Sequence, residues 1–399
     1  MDRAETTPPP TRDDLLARAA ALVPVLRERA GQTERDRRIS DETIEDIREA
    51  GLWRILKPLR YGGIMTDFGI MVDICEEFSR GCASTSWVYL NLIAHNWMLP
   101  MWPVQASEDV WGENPEALIG SSLIFPGGEL WPVKGGYQLN GRWPYCSGID
   151  NSDWMMVGAM EPTADPDGKP APRMVVVRAS DLKVTDTWHV SGLAGTGSKD
   201  TACTNLFVPA HMTVDPRDCR GGPTPGAAGA PEPVYEIPVV TFIPHLLAGT
   251  MLGIARGAYE DFVEGLKTQI STYNNSRVAE HTTVQLKVAE AGVLIDSARL
   301  LVRENWQEAH RIAEAGERPT LEERLRWRRD ATHASAGCVR AVDLIYAVSG
   351  GGANYLSNEL QRRFRDVHAA AAQINISWDI NGPEYGRVAI GLPPTNASL

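Results

Sequence analysis

Leu15, Leu16, Ala19, Leu22, Val23 and Leu26 recur at spacings of three and four, so they line one face of a helix that begins near Arg12. Ser40 followed by the acidic pair Asp41-Glu42 is a helix start, and Gly51 supplies the stop. Two further helices are predicted over residues 67–78 and 84–99, the second almost wholly apolar. Near Leu118 the period changes. Short β-rich runs (ALIGSSLIF, GGYQLNGRWPYCSG, DWMMVGAM, RMVVVRA, CTNLFVP) alternate with glycine and proline, and Gly135-Gly136 and Asn140-Gly141 read as turns. The run CRGGPTPGAAGAPEP, residues 219–233, reads as a flexible connection. Beyond it the helical period returns to about residue 372, with segments long enough for a four-helix bundle.

The predicted organisation is therefore a disordered tail (1–11), an N-terminal helical domain (12–117), a central β-barrel or sandwich (118–218), a linker (219–234) and a C-terminal helical bundle with its tail (235–399). This is a multidomain α+β chain, and 399 residues suffice for two or three cores. The most apolar stretch, residues 239–255, contains Pro244 and His245 and is short for a membrane span, so it reads as a buried helix.

The charge balance is −12, with 39 basic against 51 acidic residues, which argues against a general nucleic-acid binder. The six cysteines (75, 82, 146, 203, 219 and 338) form no Cys-x-x-Cys pair and no zinc spacing with histidine, so no metal site is predicted and a reducing cytoplasm is expected. The polar, proline-rich start MDRAETTPPPTRDD has no apolar core of the kind a secretory signal needs.

The stretch WHVSGLAGTGSKD (188–200) has the glycine spacing of a phosphate loop, but Ser198-Lys199 reverses the required order and its flanks are β-like. No Gly-x-Gly-x-x-Gly in a βαβ context, His-Glu-x-x-His or Gly-x-Ser-x-Gly occurs. Two of the eight histidines stand out: His95 inside an apolar helix, and His368 following Arg-Asp in RFRDVHAAAA. A histidine facing an apolar pocket has its charged form disfavoured and can serve as a base near neutral pH.

Six segments, in order, resemble one family. They are GLWRILKPLRYGG (51–63), CASTSWVYLNLIAHNW (82–97), VWGENPEALIGSSLIFPGG (110–128), GRWPYCSG (141–148), WHVSGLAGTGSKD, and NELQRRFRDVHAA with YGRVAIGLPP near the end. Together with the helix–sheet–helix order they resemble the acyl-CoA dehydrogenase fold. More specifically, they resemble the oxygenase components of two-component flavin-dependent monooxygenases, the branch of p-hydroxyphenylacetate and phenolic secosteroid hydroxylases.

The resemblance implies a reduced flavin (FMNH2 or FADH2) held between β-domain and bundle and supplied by a separate NAD(P)H-dependent reductase. Oxygen from O2 would pass through a C4a-hydroperoxyflavin to a small aromatic, phenolic or polycyclic substrate. It implies a cytoplasmic homotetramer that uses neither membrane nor nucleic acid. It places Trp87, Ser121, Ser122, Tyr145, Cys146, Ser147 and His368 around the flavin. Ser147 would meet flavin N5, His95 and Ser121 would meet the substrate phenol, and His368 would control protonation near the flavin; these four are the candidate catalytic residues. The chemistry suits these types: a hydroxyl at N5 in a dry pocket slows decay to peroxide, and a histidine base raises the nucleophilicity of a phenol ring.

The chain departs from the family where Tyr145-Cys146 replaces Trp-Ser and Ala194 replaces an arginine. The basic residue for the flavin phosphate has no clear match, Lys267 and Arg277 being the candidates. Alternatives are an N- or S-oxidising member, a true acyl-CoA dehydrogenase, for which no glutamate base stands in a suitable context, and a scaffold without flavin. On strict alternation Trp143, Tyr145 and Ser147 share one face of a strand and Cys146 points to the other as a small filler. A one-residue shift would put the Cys146 thiol at N5 instead.

Overall fold

The computed structural model describes residues 9–163, 168–271 and 275–395. The first eight residues of the tail read as disordered lie outside them, and the described chain enters α1 at Arg12. The N-terminal helices are α1 (Arg12–Asp36), α2 (Asp41–Glu49), α3 (Gly69–Gly81), α4 (Ala83–Met98) and α5 (Val104–Trp111). Thr11 and Asp14 close a capping box on α1, and the Ser40 hydroxyl accepts the Thr43 amide at the start of α2. Every residue of α4 except Asn91 is buried, as its all-round apolar sequence requires.

Eight strands follow: β1 (Ile119–Ser122), β2 (Gly128–Val133), β3 (Gly136–Cys146), β4 (Trp154–Glu161), β5 (Ala171–Arg178), β6 (Lys183–Thr185), β7 (Lys199–Pro209) and β8 (Thr213–Val214). They pair in the order β6-β7-β3-β2-β4-β5-β8, and β1 lies parallel to β4. The β2–β3 hairpin turns at Gly135, at φ 84°. Asn140-Gly141, read from sequence as a second turn, instead lies inside β3 at a register shift against β7. A side chain at Gly141 would strike the Trp143 ring, which lies 2.5 Å from its Cβ position. Indole packing, and not chain reversal, accounts for that glycine.

The C-terminal helices are α6 (Val239–Leu266), α7 (Thr282–Glu314), α8 (Leu321–Val348), α9 (Glu359–Ala371) and α10 (Trp378–Ala389). By length and composition α6 alone among the described helices could cross a membrane, but 83% of its most apolar window is buried inside the protein. It packs on α3 through Gly253, whose Cβ position lies 2.1 Å from Glu76 O, so the two backbones touch there. The segment read as a flexible connection is docked against the body. Gly226 N donates to Met101 O, and Cys219 and Ala230 are buried. Its glycines serve close backbone approach, which composition does not distinguish from looseness.

Candidate active site

One face of the almost wholly buried α4 packs on β1 and the end of β3. Trp87, Asn91 and His95 are four residues apart, so they share a face over about 12 Å of helix. At one end of the row the Trp87 indole N–H donates to Ser147 Oγ at 3.2 Å. At the other the His95 ring lies against the main chain of β1, with Nδ1 2.6 Å from Ile119 O. A carbonyl can only accept, so Nδ1 carries the proton and Nε2 keeps its lone pair. Burial pushes the His95 pKa down to about 4, so the ring is neutral at pH 7.

Two residues along β1 from the His95 contact, Ser121 is half-buried, and its hydroxyl is unbonded among the described residues. Ser122 faces the other way, its hydroxyl donating to Pro144 O at 2.7 Å. Backbone bridging of Ser121 to Ser147 brings β1 and the end of β3 together, so Trp87, His95, Ser121 and Ser147 belong to one wall.

Strict alternation over residues 143–147 does not hold. Tyr145 adopts φ 62°, and the register against β7 shifts between Trp143 and Cys146. The bulge turns Trp143 and Cys146 both inward, each fully buried, and throws Tyr145 outward to 63% exposure, with its ring centroid 6.1 Å from that of Trp188 in a T-shaped arrangement. Trp143 and Tyr145 therefore do not share a face. The Cys146 thiol contacts Thr201 Oγ1 at 3.2 Å and Trp143 O at 3.4 Å, inside the sheet and away from Trp87. Burial pushes that thiol up to about 11.

His368 is not brought into this cluster. Its Nδ1 lies 2.7 Å from Phe364 O and its Nε2 3.3 Å from Asp343 of α8, at the surface. Its neighbour Asp366 is buried, and its carboxylate accepts the Leu193 amide at 2.7 Å, tying α9 to the loop before β7. That loop holds two hydroxyls not singled out from the sequence. Ser198 Oγ lies 2.7 Å from both Ser147 Oγ and Thr196 Oγ1. Lys267 and Arg277 lie together at the end of α6, Lys267 paired with Glu264 and Arg277 donating to Lys267 O at 3.1 Å.

The histidines make stability depend on acid. His95 is held near 4, and buried His245, stacked on Phe242, is pushed down to about 3. Both are neutral in the fold but take up a second ring proton below about 6.5 once unfolded. The unfolded state binds more protons between these values, so stability falls with pH from about 6.5. Each histidine is expected to remove about 2 kcal/mol between pH 7.5 and 5. Urea unfolding at the two pH values measures the sum, and His95→Asn, whose amide can keep the donor to Ile119 O, should remove one share.

The chemistry of this wall fits a reduced flavin with a phenol beside it. It carries an indole, a buried serine, an unbonded hydroxyl and a neutral imidazole along one face. Comparison with known proteins identifies the family. Residues 16–106 match the acyl-CoA dehydrogenase N-terminal domain, and residues 245–378 match the corresponding C-terminal domain. The FADH(2)-dependent resorcinol hydroxylase, oxygenase component, of Rhizobium sp. (strain MTP-10005) is 37% identical over 395 residues, 95% of each chain. The structure of 3-HSA hydroxylase from Rhodococcus sp. RHA1 superposes with a TM-score of 0.92 at 31% identity, covering 98% of this chain and 100% of that one. XiaF from Streptomyces sp., solved with FADH2 and glycerol, gives 0.88 at 28% identity over 97% and 98%.

Proposed function

The chain belongs to the oxygenase components of reduced-flavin-dependent monooxygenases built on the acyl-CoA dehydrogenase fold, and from that premise we propose that it hydroxylates a phenolic ring beside His95. One observation carries the substrate side of the reading. His95 is buried and neutral, with Nδ1 committed to Ile119 O and Nε2 left as an acceptor. A phenol O–H can donate to Nε2, and proton transfer along that bond raises electron density at the ortho carbon. The Ser121 hydroxyl is the second polar group for the same phenol.

A bound reduced flavin would supply the two electrons for activating O2, one oxygen atom entering the ring and the other leaving as water. Ser147 would hold the flavin N5 edge and Trp87 would pack beside it, and the buried apolar residues of α4 would keep water out. Tyr145 and Trp188 border the outer rim, and Cys146 acts as buried packing. His368, which the family resemblance sets near the flavin, lies on α9 outside this cluster, paired with Asp343. FADH2 is the expected form, since the resorcinol hydroxylase is named for it. A separate reductase supplies it, and the enzyme is placed in the cytoplasm.

The assembly reading also has support. Leu286, Val293 and Leu300 repeat every seven residues on α7 and are 66%, 65% and 69% exposed, a stripe suited to a second copy in the expected homotetramer. Val293→Glu with Leu300→Glu is expected to reduce the oligomer to smaller species in light scattering; an unchanged mass would place the contact elsewhere.

The reading is tested by coupling the protein to a flavin reductase, NADH and FAD with a panel of phenols. A product gaining one hydroxyl is expected. Peroxide as the sole product with every phenol would reject it.

A further inference from the structure

The buried hydroxyls behind Ser147 form a chain in which every proton can be assigned. Thr196 Oγ1 lies 2.8 Å from Leu193 O, Ser198 Oγ lies 2.7 Å from Thr196 Oγ1, and Ser147 Oγ lies 2.7 Å from Ser198 Oγ. All three side chains are at least nine-tenths buried. Each hydroxyl has a single proton, and each short O···O contact needs one between its atoms. Leu193 O only accepts, so Thr196 donates to it. Thr196 then has no proton for Ser198, so Ser198 donates to Thr196. Ser198 in turn has none for Ser147, so Ser147 donates to Ser198. Any other assignment leaves two oxygens within 2.8 Å with no proton between them. The Trp87 indole N–H, a donor only, takes one Ser147 lone pair. One lone pair remains, and Ser147 can face a ligand only as an acceptor.

Flavin N5 carries a hydrogen when reduced and only a lone pair when oxidised. An obligate acceptor at N5 bonds the first and repels the second. We propose that Thr196 and Ser198 are positioning residues that lock the polarity of Ser147 and so make the site select reduced over oxidised flavin. This rests on the reading above that N5 meets Ser147. The chain is anchored from the bundle, because Asp366 fixes the Leu193 amide, and Leu193 is held at φ 54° in the left-handed region. The consequence suits a protein that receives its flavin by diffusion: oxidised flavin, the end product, leaves the site free for the next reduced molecule.

The experiment is anaerobic titration of the full-length protein with FAD and with dithionite-reduced FAD, giving the ratio of the two dissociation constants. Thr196→Val removes the acceptor for the Ser198 proton, which then turns to Ser147 and frees the Ser147 proton for N5. Ser198→Ala frees the same proton by a second route. Both are expected to cut the preference for reduced flavin about tenfold, the effect of one hydrogen bond gained or lost, mainly by tighter binding of oxidised FAD. Thr196→Ser keeps the hydroxyl and should restore the wild-type ratio. Circular dichroism confirms that each variant is folded. Folded Thr196→Val and Ser198→Ala proteins with wild-type ratios would overturn the proposal while leaving the function intact. Wild-type protein that binds neither form would remove both.

Discussion

His95→Asn is expected to lower kcat for phenol hydroxylation by a factor of about 100 or more, within the range typical of a positioned general base. Asparagine can keep a donor to Ile119 O, so the local fold is retained, but it has no group where Nε2 stands. Flavin affinity should stay at the wild-type value, because His95 lies about two turns along α4 from the Trp87–Ser147 pair. Oxygen consumption then continues and appears as peroxide. The variant should also recover with rising pH as the phenol, with a pKa near about 10, ionises in solution and no longer needs a base. Wild type, neutral at His95 well above pH 4, should show a flatter profile. Equal loss across pH, or loss of flavin binding, would assign His95 a structural role instead.

Ser147→Ala is expected to shift the reaction from product toward peroxide by about 10- to 100-fold. The substitution removes the acceptor for N5 and leaves the buried Trp87 N–H without its partner, and each buried group so abandoned costs about 1–3 kcal/mol. Cys146→Ser is the matched control one residue away. Its side chain faces Thr201 within the sheet, so the product-to-peroxide ratio should hold. If the Cys146 substitution uncouples the reaction and the Ser147 substitution does not, the one-residue shift of register is correct.

Much of this wall was legible in the sequence, for identifiable reasons. His95 stood out because a titratable ring in an apolar helix needs a specific partner, and Ile119 O is that partner. Trp87, Ser121 and Ser147 came from the family resemblance, and the structure joins them through one indole hydrogen bond and one backbone bridge. Alternation puts Tyr145 on the wrong face because it assumes an unbroken strand, whereas the left-handed turn at that residue inserts a bulge that periodicity does not reveal. β2, with Pro132 inside it, carries no strong alternation and was not singled out. The segment WHVSGLAGTGSKD has the glycine spacing of a phosphate loop, whereas the structure ties its Thr196 and Ser198 hydroxyls to Ser147. A Thr-Gly-Ser triplet looks like ordinary loop composition until Asp366, 170 residues further on, clamps the backbone that aims it.

The most direct test is a single turnover. Protein loaded anaerobically with one equivalent of reduced FAD and a phenol that the reductase-coupled assay has shown to be hydroxylated is mixed with ¹⁸O₂, and the product is weighed by mass spectrometry. The account predicts a ring hydroxyl carrying one ¹⁸O, formed in wild type and largely lost in His95→Asn. A hydroxylated product whose new oxygen comes from water, or undiminished labelling in the His95 variant, would contradict it.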